Sequence, residues 1–178
     1  MTYPKITLYG KLESTSTQSI LMLLKELNLE YKIITDLTSE EILKLNPFGD
    51  LPILKYKENE DSDERILFEC KSILRYISNK HDTEIDFYPN STTDLWLEIN
   101  SKYLQPNVSM TSHIDIENTL QKYETQLSKN KYISGDAYTI ADITLFQELN
   151  TIIRIKGKDF LKSFKKLYHL YKKIKCRI

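Results

Sequence analysis

Side chains able to do chemistry are sparse in this 178-residue chain and fall in a few short stretches. The two cysteines, Cys70 and Cys176, stand far apart with no CxxC or His-Cys spacing, which speaks against a zinc site or a disulfide framework. His81, His113 and His169 are each isolated, the pattern of solvent-facing residues rather than of metal ligands or a general base. No metal is expected. The hydroxyl run Ser14-Thr15-Ser16-Thr17 is a polar loop able to supply N-caps to a following helix. Asp142, a lone carboxylate in an apolar run, completes the capping box Thr139-Ile140-Ala141-Asp142, so it reads as a folding residue and not a catalyst. The most heavily punctuated stretch is Asn46-Pro47-Phe48-Gly49-Asp50-Leu51-Pro52-Ile53-Leu54. Pro52 cannot donate to a strand ladder, so it reads as a strand entry after a tight turn.

The elements that must position these residues follow from periodicity. Lys5 to Tyr9 alternates apolar and polar and ends at Gly10, a first strand. Ile20, Leu21, Leu23, Leu24 and Leu27 recur at helical spacing, which predicts a helix from about 16 to 27 with Asn28 as a left-handed cap. Tyr31 to Thr35 is a second strand, and a βαβ unit this short requires parallel strands. Thr38 and Glu41 form a capping box opening a short helix to Leu45. Strands at 53–56 and 65–68, joined by the acidic tip 58–64, make an antiparallel hairpin, and a helix follows from near Glu69 to about Asn79. The order βαβ-α-ββα is thioredoxin-like.

Beyond a polar stretch the chain turns all-helical. Residues 1–80 are assigned to the α/β domain, 81–90 to a linker, and 91–178 to a helical domain. Its first helix begins at a capping box, Ser91 to Asp94, carries Leu95, Trp96, Ile99 and Leu104, and meets Pro106. A second amphipathic helix spans 115–127, Tyr138 and Ile143 are placed for a hydrophobic staple, and a final basic helix runs from about 158 to 175.

The apolar fraction of 40% and charged fraction of 28% are those of an ordinary globular protein. A net charge of +0 gives no global electrostatic case for nucleic acid or membrane. No apolar run reaches membrane-spanning length, and Met1 to Lys5 contains no signal-peptide core. The expected location is the cytoplasm. In the basic helix, Phe160, Phe164, Tyr168 and Tyr171 fall at i, i+4, i+8 and i+11, a core-facing stripe and not a base-stacking array.

Three motifs together resemble the glutathione S-transferase family: Asn46 to Pro52, Phe68-Glu69-Cys70-Lys71-Ser72-Ile73-Leu74-Arg75-Tyr76-Ile77, and Tyr132 to Ile143. The resemblance implies a thioredoxin-like domain followed by a shortened helical domain, with a cis Leu51–Pro52 bond. It implies glutathione as co-substrate, whose thiol, with a pKa near 8.5 when free, must be stabilised as thiolate. For that role the family keeps a hydroxyl or thiol near the end of the first strand. Ser14, by gap-free count from the helix, and Tyr9, at the strand end, both compete. The resemblance further implies Leu51 and Pro52 against the peptide backbone of the ligand, Glu69 at its α-amino group, and Cys70 beside its γ-glutamyl carboxylate. Cys70 stands where a Ser or Thr is usual. Asp50 stands where Gln or Lys usually meets the glycine carboxylate, with Lys44 as a compensating cation.

Two functions are compatible with the resemblance. One is transfer of the glutathione thiolate to a small electrophile, by a homodimer as is common in the family. The other is a non-catalytic module of translation complexes, like the elongation factor gamma subunit or the appendages of aminoacyl-tRNA synthetases, held as homodimer or heterodimer. The region 96–127, which builds one wall of the electrophile pocket in the family, is short here, and the basic terminus fits the second function.

Overall fold

The computed structural model describes residues 3–81, 86–89, 91–105 and 113–177. The chain divides into two compact units, Met1–Thr83 and Glu84–Ile178. In the first, β1 (Lys5–Tyr9), α1 (Thr15–Glu26), β2 (Lys32–Ile34), α2 (Ser39–Leu45), β3 (Ile53–Lys57), β4 (Arg65–Phe68) and α3 (Cys70–Lys80) follow in order. The strands lie as β2-β1-β3-β4, with β1 and β2 parallel and the other pairs antiparallel. This is the expected mixed thioredoxin-like sheet.

Alternation decides which face is covered. Ile6 and Leu8 are buried while Thr7 and Tyr9 are partly exposed, and Leu8 lies directly opposite Leu54. Tyr56, on the same face as Leu54, meets Tyr76 edge-on at 5.3 Å, so α3 covers that face. Ile20, Leu23 and Leu24 of α1 and Ile73, Leu74 and Ile77 of α3 close it, each fully buried. A buried aliphatic side chain of this kind contributes about 1.5–3 kcal/mol. Helix α1 ends as the sequence predicts. Asn28 takes φ 53° and the amides of Asn28 and Leu29 bond back to Lys25 and Leu24, a Schellman close. His81 departs from the expected solvent-facing role: its Nε2 lies 3.2 Å from the Tyr56 hydroxyl, and burial lowers its pKa. His169 is exposed, and the side chain of His113 lies outside the described residues.

The second unit contains α4 (Ser91–Ile99), a π-helical turn (Asn100–Leu104), α5 (His113–Leu127), α6 (Ile140–Lys156), α7 (Lys158–Lys162) and α8 (Lys165–Lys175). Three expectations are corrected. Ser91, expected as the cap, is itself within α4, and Asp94 accepts from the Tyr88 hydroxyl. The helix carrying Trp96 widens into the π turn, where buried Asn100 donates to Thr144 Oγ1 at 2.8 Å and accepts from Tyr123 at 2.6 Å. Pro106, expected to end it, is not among the described residues. The single basic helix is two, α7 and α8, broken at Ser163 and Phe164. Phe164 has no side-chain cap to offer; Glu124 of α5 accepts the amides of Lys166 and Leu167 at 2.8–3.0 Å instead. A carboxylate is well suited to the positive end of a helix.

Candidate functional site

One row of the sheet gathers most of the candidate residues. Tyr9 pairs with Ile53, and Ile53 pairs with Phe68. From this row β1 runs out through Gly10 toward Ser14, β3 is entered from Leu51 and Pro52, and β4 leads directly into Glu69 and Cys70. Three connections therefore converge at one end of the sheet, with Ser14 lying 37 residues before Leu51 and Glu69 18 residues after it.

Ser14 is the N-cap of α1. Its Oγ accepts from the Thr17 amide over a long 3.4 Å, and among the described residues its hydroxyl proton goes to no acceptor. The strand end and the helix approach closely here: an ideal Cβ on Gly10 would sit 2.5 Å from Thr17 Oγ1. Gly10 is a positioning residue that sequence reasoning treated only as a strand stop. Tyr9 starts from the same row, but its side chain shares a sheet face with Thr7 and Lys55, opposite the buried Leu8. Lys55 is held above its usual pKa mainly by its bond to Glu64, with Tyr9 adding to the effect.

Asn46 builds the central loop. It is 1% exposed; its Oδ1 accepts from the Phe48 amide at 3.1 Å and its Nδ2 donates to the Asp50 carbonyl at 2.9 Å. Gly49 turns the chain at φ 76°, a left-handed conformation that favours glycine. The Leu51–Pro52 bond is cis. Neither the N–H nor the C=O of Leu51 has a hydrogen-bond partner among the described residues, although its side chain is half-buried. The loop thus presents a bare backbone edge.

Glu69 enters α3 at φ 68° and ψ 116° and gives that helix no side-chain cap. A non-glycine residue held there costs on the order of 1–3 kcal/mol, and such strain clusters at functional sites. Cys70, half-buried, donates its thiol to the Ser16 carbonyl at 3.4 Å. That contact joins the first turn of α3 to the first turn of α1, so Ser14 and the Glu69–Cys70 corner lie side by side. Lys44 is placed differently. Its ammonium bonds Glu40 at 2.9 Å on an exposed flank of α2, and it makes no bond to Asp50. Among the described residues no cluster of three His, Cys, Asp or Glu suits a metal.

Asp142, by contrast, is fully buried at the start of α6, where Oδ2 accepts from the Thr139 amide at 3.0 Å and hydroxyl at 3.2 Å, and Oδ1 from the Ile133 amide at 2.9 Å. Burial pushes its pKa up to about 6 against the pull of those donors. The expected capping box is present.

Family profiles described as Glutathione S-transferase, N-terminal domain, and Glutathione S-transferase, C-terminal domain, match residues 14–80 and 101–177. Glutathione S-transferase 3 of Zea mays is 31% identical over 169 residues, covering 77% of this chain and 73% of that protein. The chain belongs to the glutathione S-transferase family. Glutathione S-transferase F13 of Arabidopsis thaliana is 28% identical over 170 residues, covering 76% of this chain and 75% of that one. Among solved structures, glutathione S-transferase III in its apo form superposes with a TM-score of 0.81 at 27% identity, covering 96% and 91% of the two chains. The transferase URE2P6 of Phanerochaete chrysosporium, solved with oxidized glutathione, gives a TM-score of 0.83 at 22% identity over 96% and 90%, a likeness of fold.

None of these four relatives is named for translation. The basic terminus meanwhile spends part of its charge on its own unit: Lys173 lies 3.9 Å from the Tyr132 ring centroid and Arg177 4.4 Å from that of Tyr138. Tyr171 stacks on Phe146 at 5.2 Å, and Phe164 is buried, whereas Phe160 and Tyr168 stay partly exposed. No helix of the described residues is long and apolar enough to cross a membrane.

Proposed function

We propose that this chain binds glutathione at the end of its sheet and transfers the glutathione thiolate to a small electrophile, acting in the cytoplasm as a homodimer. The carrying observation is Leu51. Its unpaired N–H and C=O, beside a proline that lacks an amide, suit an extended peptide laid down as an added strand. At one end of that strand the uncapped start of α3 and Glu69 would receive the γ-glutamyl group, its carboxylate at the helix amides and its α-amino group at the Glu69 carboxylate. The thiol of Cys70, engaged with Ser16, contributes through position rather than as a donor to ligand.

The Ser14 hydroxyl is the group we assign to the sulfur. Its free proton can donate to a thiolate, and a hydrogen bond to the charged form lowers a pKa. Attack then forms the carbon–sulfur bond as the leaving group departs with its electron pair. Tyr9 is the second candidate, and its side chain on the Lys55 face makes it the weaker one. Retention on immobilised glutathione, with turnover of an aryl halide at pH 7, is the expected result. No retention, and no protection by millimolar glutathione in a thermal melt, would remove the proposal.

A further inference from the structure

With the γ-glutamyl end placed at α3, the register sets which way a bound peptide would run. Phe68 is paired with Ile53, and Glu69 and Cys70 follow at once, so the start of α3 flanks the Pro52–Ile53 side of Leu51. Asp50 lies on the other side. A peptide whose γ-glutamyl end sits at α3 therefore runs antiparallel to the loop and brings its C-terminal end to Asp50.

Asp50 sets an exposed carboxylate at that end. The Asp50 backbone carbonyl is held by Asn46, but its exposed carboxylate has no hydrogen bond or ion pair among the described residues. From 36 to 50 the charged residues are Asp36, Glu40, Glu41 and Asp50 against Lys44 alone, and Lys44 is bonded to Glu40 at 2.9 Å. Glutathione ends in a carboxylate. A site that opens backbone groups to the peptide and sets an unpaired anion at its C-terminus is built for a different terminus.

We propose that the preferred thiol substrate is a γ-glutamyl-cysteinyl peptide whose C-terminal carboxyl is joined as an amide to an amine-bearing group, and that Asp50 selects it over free glutathione. The proposal rests on the glutathione site described above. The amide link removes the repelled charge, and the ammonium of the extension supplies an attracted one. Asp50 is here a specificity residue that takes no part in the chemistry of the sulfur.

Three thiol-blocked probes separate this proposal from the site reading beneath it: S-methylglutathione, its glycine ethyl ester, and its glycine amide with diaminopropane. They present a negative, a neutral and a positive end on the same peptide. Calorimetric titration at low salt is expected to show affinity rising along that series by about fivefold per step, the energy of a unit charge pair about 4 Å apart in water. Asp50→Asn, which alters a side chain without partners, is expected to compress the series to within about twofold. Wild-type affinity for S-methylglutathione equal to that for the amine, or a series unchanged by Asp50→Asn, overturns the selectivity while leaving the site standing. Binding of none of the three by folded protein overturns the site and the selectivity with it.

Discussion

Two helix starts in this protein face the same electrostatic problem and solve it in opposite ways. Each carries about half a positive charge and amides without intrahelical partners. At α6 the chain closes the end from within. Asp142 is buried and takes three donors from Thr139 and Ile133, while Ser134 reaches the Thr139 hydroxyl at 2.9 Å. At α3 the residue in the cap position, Glu69, is exposed, gives the helix no side-chain cap and holds a left-handed backbone. The difference separates two acids that look alike in sequence. Asp142 is committed to folding, and Glu69 is left available at a cost in backbone energy. α8 shows a third solution, a cap borrowed from Glu124 on another helix.

Breaking the closed end should have the largest effect. Asp142→Ala strands three buried donors and is expected to lower unfolding stability by on the order of 4 kcal/mol, measured by urea denaturation. Glu69→Ala in the same assay should cost under about 1 kcal/mol; equal losses would erase the distinction. The acid also makes stability depend on pH. Its folded pKa of about 6 lies above the unfolded value near 3.8, so the native state holds the proton more tightly. The stabilisation is full below about pH 4 and is lost as pH rises through about 6, in total about 3 kcal/mol at 1.36 kcal/mol per unit. Asp142→Asn should flatten that window in melts across pH 4–7.

At the open end, Ser14→Ala is expected to lower aryl halide turnover about 100-fold, or about 2.7 kcal/mol, with retention on glutathione resin kept. Tyr9→Phe should change turnover less than about twofold, and a reversal of these two results would move the thiolate to Tyr9. The smallest effect sharpens the comparison most. Glu69→Gly relieves the left-handed strain and should raise stability by about 1 kcal/mol while weakening glutathione binding, as read by melts with and without ligand.

Much of this was legible in the sequence because it is local. Alternation and helical spacing gave the strands and most helices, the punctuated loop gave the entry to β3, and the spacing of Thr139 and Asp142 gave the closed helix start. What escaped depends on partners distant in the chain. No breaker residue marks Ser163–Phe164; the basic helix divides where buried Phe164 packs and where Glu124, 42 residues before Lys166, supplies the cap. The Cys70 thiol meets a carbonyl 54 residues earlier. Glu69 takes a conformation that propensity assigns to glycine, and only the surrounding fold imposes it. At the site, sequence pointed to the loop and both corners and left Ser14 and Tyr9 in competition, because the cap geometry of Ser14 and the sheet face of Tyr9 both depend on how strand and helix pack.

Gly10 has a consequence for tolerance to change. An ideal Cβ there would lie 2.5 Å from Thr17 Oγ1 and 2.9 Å from Thr17 Cγ2, so any other residue must displace the Thr17 side chain in the first turn of α1. Ser14 caps that turn through the Thr17 amide at 3.4 Å, a bond with little room to lengthen further. Gly10 therefore acts as a spacer gauge, setting where the strand end stands against the helix turn that carries the Ser14 hydroxyl proposed for the sulfur.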